Sequence, residues 1–283
     1  REELHAYSGP RTKVIMNGHF MRYPANWPPS PKILPLFISF HINPRRADGM
    51  LTREGVAYLK KHEPIGCRDL STLELLANKG IEGYFSSCLT LTLGNRFRHV
   101  ADEDVFFVDV LFGYPTWRTV FGSFNGFQKA IEKGDIFLLG KRDRVLRAVF
   151  GQDIVAAAEE VTHVYDAQTC PTENRRFELA ERTLERYERA RLVVTSRIHC
   201  ALPCVAMGTP VIFVNGGFRQ ASARRFTGND RLFHTINISR DGSVSASCDM
   251  NGVKRDRSAP VKKDHLEYVE ALARRCKEFV AES

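Results

Sequence analysis

Three stretches of the chain carry residue types that bind or move charge. The first is Thr195-Ser196-Arg197-Ile198-His199, a polar turn with an arginine and a histidine two positions apart. An arginine brings a permanent charge and a planar fork of donors that matches a carboxylate or phosphate. A histidine exchanges a proton near neutral pH. The second stretch is Pro64-Ile65-Gly66-Cys67-Arg68-Asp69, and the third is Asn215-Gly216-Gly217-Phe218-Arg219-Gln220 followed by Ala223-Arg224-Arg225-Phe226. Each has a plainer reading. Arg197 could cap a helix beside a structural His199, Arg68 could pair with Asp69 or Glu74 on the surface, and Arg224 and Arg225 could line a solvated loop. Asn17, His41 and Thr90 are further polar candidates, chosen because each falls near the expected carboxyl end of a strand.

The elements around these residues follow from local pattern. Leu192-Val193-Val194 is a short β-branched strand, and His199 to Met207 has apolar residues at helical spacing. Gly208 ends that helix, Pro210 cannot continue it, and Val211 to Val214 is a second buried strand. So compact a strand-helix-strand unit is a parallel crossover. In open parallel sheets ligands bind beyond the carboxyl ends of strands, where a helix N-terminus already favours an anion. Arg197 and His199 lie at such an end. Arg68 repeats the arrangement, with Asp69 as N-cap of a helix that runs through Leu76 and is closed by Gly80.

Other expected strands are Val14 to Met16, leading into the Asn17-Gly18-His19 loop, Ile33 to Ile42, Ile81 to Leu93, Val105 to Leu111 with Asp109 near its end, Val161 to Val164, and Leu232 to Ile238. Expected helices are Leu51 to Lys61, Asn174 to Ala190 and Asp264 to Glu282, and Gly94 to Asp104 reads as a linker. The fold class is α/β, with mostly parallel sheets in two Rossmann-like domains facing a cleft. The expected boundaries are 1–100 for an N-terminal domain and 101–283 for a C-terminal domain that includes the terminal helix. GT-B-type sugar-modifying enzymes share this architecture, which does not by itself give chemistry.

The chain has 283 residues and a formal net charge of +8, so an anionic substrate, a nucleic acid or a membrane surface could each be a partner. No nucleic-acid motif accompanies the basic residues, and no apolar run approaches the ~18 residues of a membrane span. The chain starts with Arg and shows no signal-peptide pattern. Seven cysteines without a CxxC pair read as buried free thiols of a reducing, cytoplasmic compartment. Cys200, Cys204 and His199 share a helix, but no second cluster completes a metal site, so no metal is expected.

Together, PIGCRDLSTLELLANKGIEGYFSSCLTLTL at 64–93, VVTSRIHCALPCVAMGTPVIFV at 193–214, ILPLFISFHI at 33–42 and ARRFTGNDRLFHTINI at 223–238 resemble the polysaccharide pyruvyl transferase family. The Ser-Arg-x-His turn with its small-residue helix and Gly-Thr-Pro is the most specific part. The resemblance implies a GT-B-like transferase that moves the carbon skeleton of phosphoenolpyruvate to two hydroxyls of a sugar, makes a cyclic ketal and releases phosphate. No cofactor beyond the phosphoenolpyruvate donor is implied. Arg197 would clamp the anion. His199 would protonate C3 or the leaving phosphate, or bind it. Arg68, Arg225 and Arg224 would bind from other sides, and Asn17, His41 and Thr90 would contact the acceptor. That acceptor would be a sugar or a lipid-linked glycan, through which the protein could associate peripherally with a membrane. Family chains usually begin with a further strand and a glycine-containing loop, and this sequence enters after that point. Two other classes remain open, a nucleotide-sugar glycosyltransferase on the same scaffold and a non-catalytic protein that binds anionic ligands.

Overall fold

The computed structural model of the chain describes residues 4–20, 23–100, 102–115, 120–122, 124–133, 136, 139–166, 168–216, 226–239 and 243–281. The chain divides into two units, Arg1–Thr92 with Arg219–Arg231 and Asp264–Ser283, and Leu93–Phe218 with Leu232–Lys263. The contiguous division expected from the sequence, 1–100 and 101–283, differs from this in assigning the terminal helix and residues 219–231 to the second domain. Both belong to the first.

The first unit contains β1 (Thr12–Gly18), β2 (Ile33–Phe40), a single turn α1 (Ala47–Met50), α2 (Arg53–Lys61), β3 (Ile65–Cys67), α3 (Leu70–Ala77) and β4 (Gly83–Phe85). The four strands lie in sequence order and all pair in parallel. Thr52 caps α2 by accepting from Gly55 N–H, and Lys60 and Lys61 occupy its last turn, where the helix dipole favours cations. Met16, Trp27, Phe37, Phe40, Leu59, Ile65 and Leu76 fill the core. The pairing of β1 with β2 slips between Met16↔Phe37 and Gly18↔Phe40. Ser39, at φ +54°, is the residue that absorbs the slip. The C-terminal helix, Leu266–Ala281, joins this unit: Lys13 donates to the Phe279 carbonyl, and the Arg275 guanidinium sits 4.2 Å over the Tyr84 ring.

The strand expected over Ile81 to Leu93 is shorter, because β4 stops at Phe85 and a 3₁₀ helix runs from Leu89 to Asn95. Ser87, at φ +59°, turns the backbone, and its buried hydroxyl donates to Asn229 Oδ1 at 2.6 Å.

The second unit contains β5 (Val105–Val108), α4 (Phe124–Lys133), α5 (Lys141–Phe150), α6 (Gln152–Ala157), β6 (Ala158–Val161), α7 (Glu173–Arg189), β7 (Leu192–Thr195), α8 (Ile198–Met207), β8 (Val211–Gly216), β9 (His234–Ile238), β10 (Val244–Ala246) and α9 (Met250–Asp256). The sheet order is β10-β9-β8-β7-β5-β6, and only β10 runs antiparallel. Every residue of β5 and β7 is buried, as central parallel strands require. The β7-α8-β8 crossover forms as its sequence predicts, and Gly208 closes α8 at φ +84°, a conformation that glycine adopts without Cβ strain. The strand expected at 161–164 lies at Ala158–Val161 instead, and β10 and α9 were not anticipated.

This strand order has a switch point. From β5 the chain moves to one side to make β6, then returns to the other side of β5 to make β7. Connections leave β5 and β7 in opposite directions, so a crevice opens beyond their carboxyl ends, the place where ligands bind in doubly wound sheets.

Candidate active site

In the second unit the switch point is occupied by an arginine and an aspartate. Arg197 follows β7 and serves as the N-cap residue of α8, while Asp109 follows β5. Arg197 Nε donates to Asp109 Oδ2 at 2.8 Å, and the Arg197 guanidinium carbon lies 4.0 Å from the centroid of the Phe112 ring. One edge of the guanidinium is thus pinned by a carboxylate and one face is stacked on an aromatic ring. Its terminal amines make no hydrogen bond to a described residue, and the side chain is 30% exposed. An arginine held this way has little freedom left to lose when it receives an anion.

The turns that hold it are strained. Asp109 and Leu111 sit at φ +46° and +53°, where side chains other than glycine rarely go. Ser196 bridges the two strand ends, accepting from Leu111 N–H at 3.0 Å and donating to the Val214 carbonyl at 2.6 Å. Burial opposes ionisation of Asp109. The His163 N–H, the Thr162 hydroxyl and Arg197 outweigh it and hold the carboxyl below its ordinary range. His163 makes a further 2.7 Å hydrogen bond between Nε2 and the Tyr187 hydroxyl. Burial keeps His163 below the usual histidine pKa, with Asp109 opposing and Arg197 reinforcing the shift. His199 is the second residue of α8 and is exposed.

In the first unit the carboxyl ends of β1, β2 and β3 bring His19, His41 and Arg68 together. His41 and Arg68 are each only 5% exposed, and Asp69 is fully buried. Asp69 Oδ1 accepts from Thr72 N–H at 2.9 Å and from Thr72 Oγ1 at 3.0 Å, while Oδ2 meets His41 Nδ1 at 2.7 Å. The second contact places a proton on Nδ1 and fixes the ring. Arg68 Nε lies 3.8 Å from the same Oδ2, a loose pair. The His19 ring stacks on His41 with centroids 6.0 Å apart. Burial, then the positive charge of His41, Arg68 and Arg46, keeps His19 below the usual histidine pKa.

The Arg68 loop is held from a distant part of the chain. Asn229 Nδ2 donates to the Arg68 carbonyl at 2.8 Å, and the Thr227 carbonyl and hydroxyl receive Leu70 N–H and Ser71 N–H at the start of α3. Gly228 between them is at φ +88°, and a Cβ there would lie 2.8 Å from Phe85.

The sequence candidates fall out unevenly. His41 and Arg68 meet, as do Arg197 and the first turn of α8. Arg68 is not the surface partner of its plainer reading, because it is buried. Asn17 is exposed on β1, and its neighbour His19 is the residue that reaches His41. Thr90 lies in the 3₁₀ helix with its hydroxyl buried and no hydrogen-bond partner among the described residues. Arg224 and Arg225 lie outside the described residues. Asp69 caps α3 as expected, but its contact with His41 was missed, as were the roles of Asp109 and Asn229. An acidic residue at the end of an apolar strand was a usable signal for Asp109, whereas Asn229 gave none. Among the described residues no group of three or more His, Cys, Asp or Glu could hold a metal ion. Cys67 is a buried thiol pushed up to about 12 by burial and then by Asp69.

Residues 24–217 match the family described as polysaccharide pyruvyl transferase, a span that contains His41, Arg68, Thr90, Arg197 and His199. The chain belongs to that family. No curated protein and no solved structure matches it. Asn17, Arg224 and Arg225 fall outside the matched span.

Proposed function

We propose that the chain takes phosphoenolpyruvate as donor and joins its three-carbon skeleton to two hydroxyls of a glycan sugar as a cyclic ketal. The observation that carries this reading is Arg197, pinned by Asp109 and stacked on Phe112 at the switch point of a parallel sheet. Phosphoenolpyruvate carries a carboxylate and a phosphate, and a guanidinium edge matches either in a bidentate pair. His199 supplies the proton, to C3 or to the leaving phosphate, and Arg68 in the first unit offers a separate anion contact.

The reaction balances without an added oxidant or reductant. C3 gains a proton and becomes a methyl group, which leaves C2 electron-poor. A first sugar oxygen bonds to C2 and loses its proton. A second sugar oxygen then bonds to C2 and loses its proton, and phosphate leaves with the electron pair of the C2–O bond and takes up that proton. Positive groups around the phosphate stabilise the charge that develops as it departs.

No cofactor forms part of the proposal. The seven free cysteines fit a reducing, cytoplasmic location. A lipid-linked glycan would bring the protein to a membrane surface through its substrate, and no described helix is long and apolar enough to cross one.

The test is calorimetric titration of the whole chain with phosphoenolpyruvate, with UDP-sugars and GDP-sugars as controls. Saturable phosphoenolpyruvate binding that is lost in Arg197→Ala is the expected result. Binding of a nucleotide sugar in its place would move the protein to the glycosyltransferase reading and overturn this one.

A further inference from the structure

An aromatic pocket of about 180 Å³ opens beyond the end of β1 in the first unit, lined in part by His19, Phe20, Tyr23, Asn26 and Trp27. We propose that this pocket is the subsite for one sugar ring of the glycan acceptor, with the pyranose seated against the aromatic side chains and its hydroxyl rim turned toward His19 and His41. The assignment rests on the acceptor half of the pyruvyl-transfer reading and extends it to a place and to residues.

Three observations carry it. The walls are rigid: Trp27 packs against Phe37, Phe40 and Tyr58 with ring centroids 6.3, 6.0 and 5.6 Å away, and Phe20 stacks on Phe40 at 6.2 Å. The described lining is mostly aromatic and apolar, with His19 and Asn26 as its polar side chains, which suits a polyol with apolar faces. A pyranose has apolar C–H faces and a rim of hydroxyls, which is the pattern of an aromatic pocket with a few polar groups.

The third observation is continuity. His19 belongs to the pocket and also stacks on His41, whose ring is fixed by Asp69. A ring in the pocket therefore lies against His19, the side chain that in turn stacks on His41. At about 180 Å³ the pocket is smaller than the about 300–1,000 Å³ of sites that enclose a drug-sized ligand, so it seats a single ring. Recognition would then be of a single residue of the glycan, with the rest of the polymer outside the pocket. Tyr23 is 60% exposed, so it can be shortened without opening the core.

The experiment is saturation-transfer NMR on the whole chain with methyl glycosides of galactose, glucose and N-acetylmannosamine, with uridine and guanosine as controls. Phosphoenolpyruvate binding is followed in parallel by calorimetry. At least one glycoside should receive saturation. Its binding should weaken about tenfold in Tyr23→Ala through loss of one aromatic contact, and recover in Tyr23→Phe. Phosphoenolpyruvate affinity should stay unchanged in both variants. If no glycoside is saturated, if Tyr23→Ala binds as wild type does, or if a nucleoside is preferred, the subsite is wrong. Tyr23-dependent sugar binding without phosphoenolpyruvate binding would uphold the subsite and break the donor reading instead.

Discussion

Asp69 is fully buried, and its two oxygens serve Thr72 N–H, the Thr72 hydroxyl, His41 Nδ1 and, more loosely, Arg68. Asp69→Ala removes the buried carboxylate that His41 Nδ1 meets at 2.7 Å and Arg68 Nε at 3.8 Å. Breaking a buried pair from one side destabilises by about 3–5 kcal/mol, and the 3.8 Å separation argues for the lower end. Loss of the α3 N-cap adds about 1 kcal/mol. The expected loss is therefore about 4 kcal/mol, or about 2 M in urea midpoint at a slope of about 2 kcal/mol/M. Asp69→Asn keeps an acceptor for the cap but presents an amide to His41, and should lose about 1–3 kcal/mol. The chain has two tryptophans. In a Trp117→Phe background only Trp27 remains, packed in the first unit's core against Phe37 and Phe40, and its fluorescence follows that unit alone. A midpoint shift under about 0.5 M for Asp69→Ala, less than about 1 kcal/mol at that slope, would refute the claim that Asp69 holds this buried cluster together.

Gly228→Ala puts a side chain at φ +88° and within 3.0 Å of Phe85 and Leu70, so it should lower the same Trp27 midpoint by about 0.5–1.5 M, or about 1–3 kcal/mol; an unchanged midpoint would show that the segment does not latch the Arg68 loop. The second unit should weaken on acidification. His163 is held below its ordinary value by burial, so the unfolded chain takes up a proton first as pH falls below about 6.5. The contribution is present above that pH and is lost as pH falls through the lower folded value. The fall in urea midpoint between pH 7 and pH 5 should shrink in His163→Gln, and an equal fall in that variant would remove His163 as the cause.

The parts of the fold visible in the sequence are those whose signals are local. Strand β7, helix α8 and strand β8 were readable because β-branched runs, Gly208 and Pro210 act within a few residues. Asp69 was readable as a cap for the same reason. What could not be read depends on partners far along the chain. The end of β4 is set by Ser87, whose hydroxyl binds Asn229, 142 residues away, while the Ser and Thr residues of 81–93 suit a strand equally well. Arg197 was found as a basic residue at a strand end, but its orientation comes from Asp109, 88 residues earlier. The terminal helix was recognised by its apolar stripe, and a stripe does not say which sheet it will cover.

The four passages of the chain between the two units have a consequence for how the protein is made. Arg68 receives the side-chain amide of Asn229 only after 161 further residues have been added. At synthesis rates of about 5–20 residues per second that is a wait of roughly 8–32 s. Through that interval the nascent first unit carries a charged, half-formed loop and an uncovered sheet face, and it is open to chaperones and proteases. The native Arg68 loop is therefore completed only once Asn229 has left the ribosome.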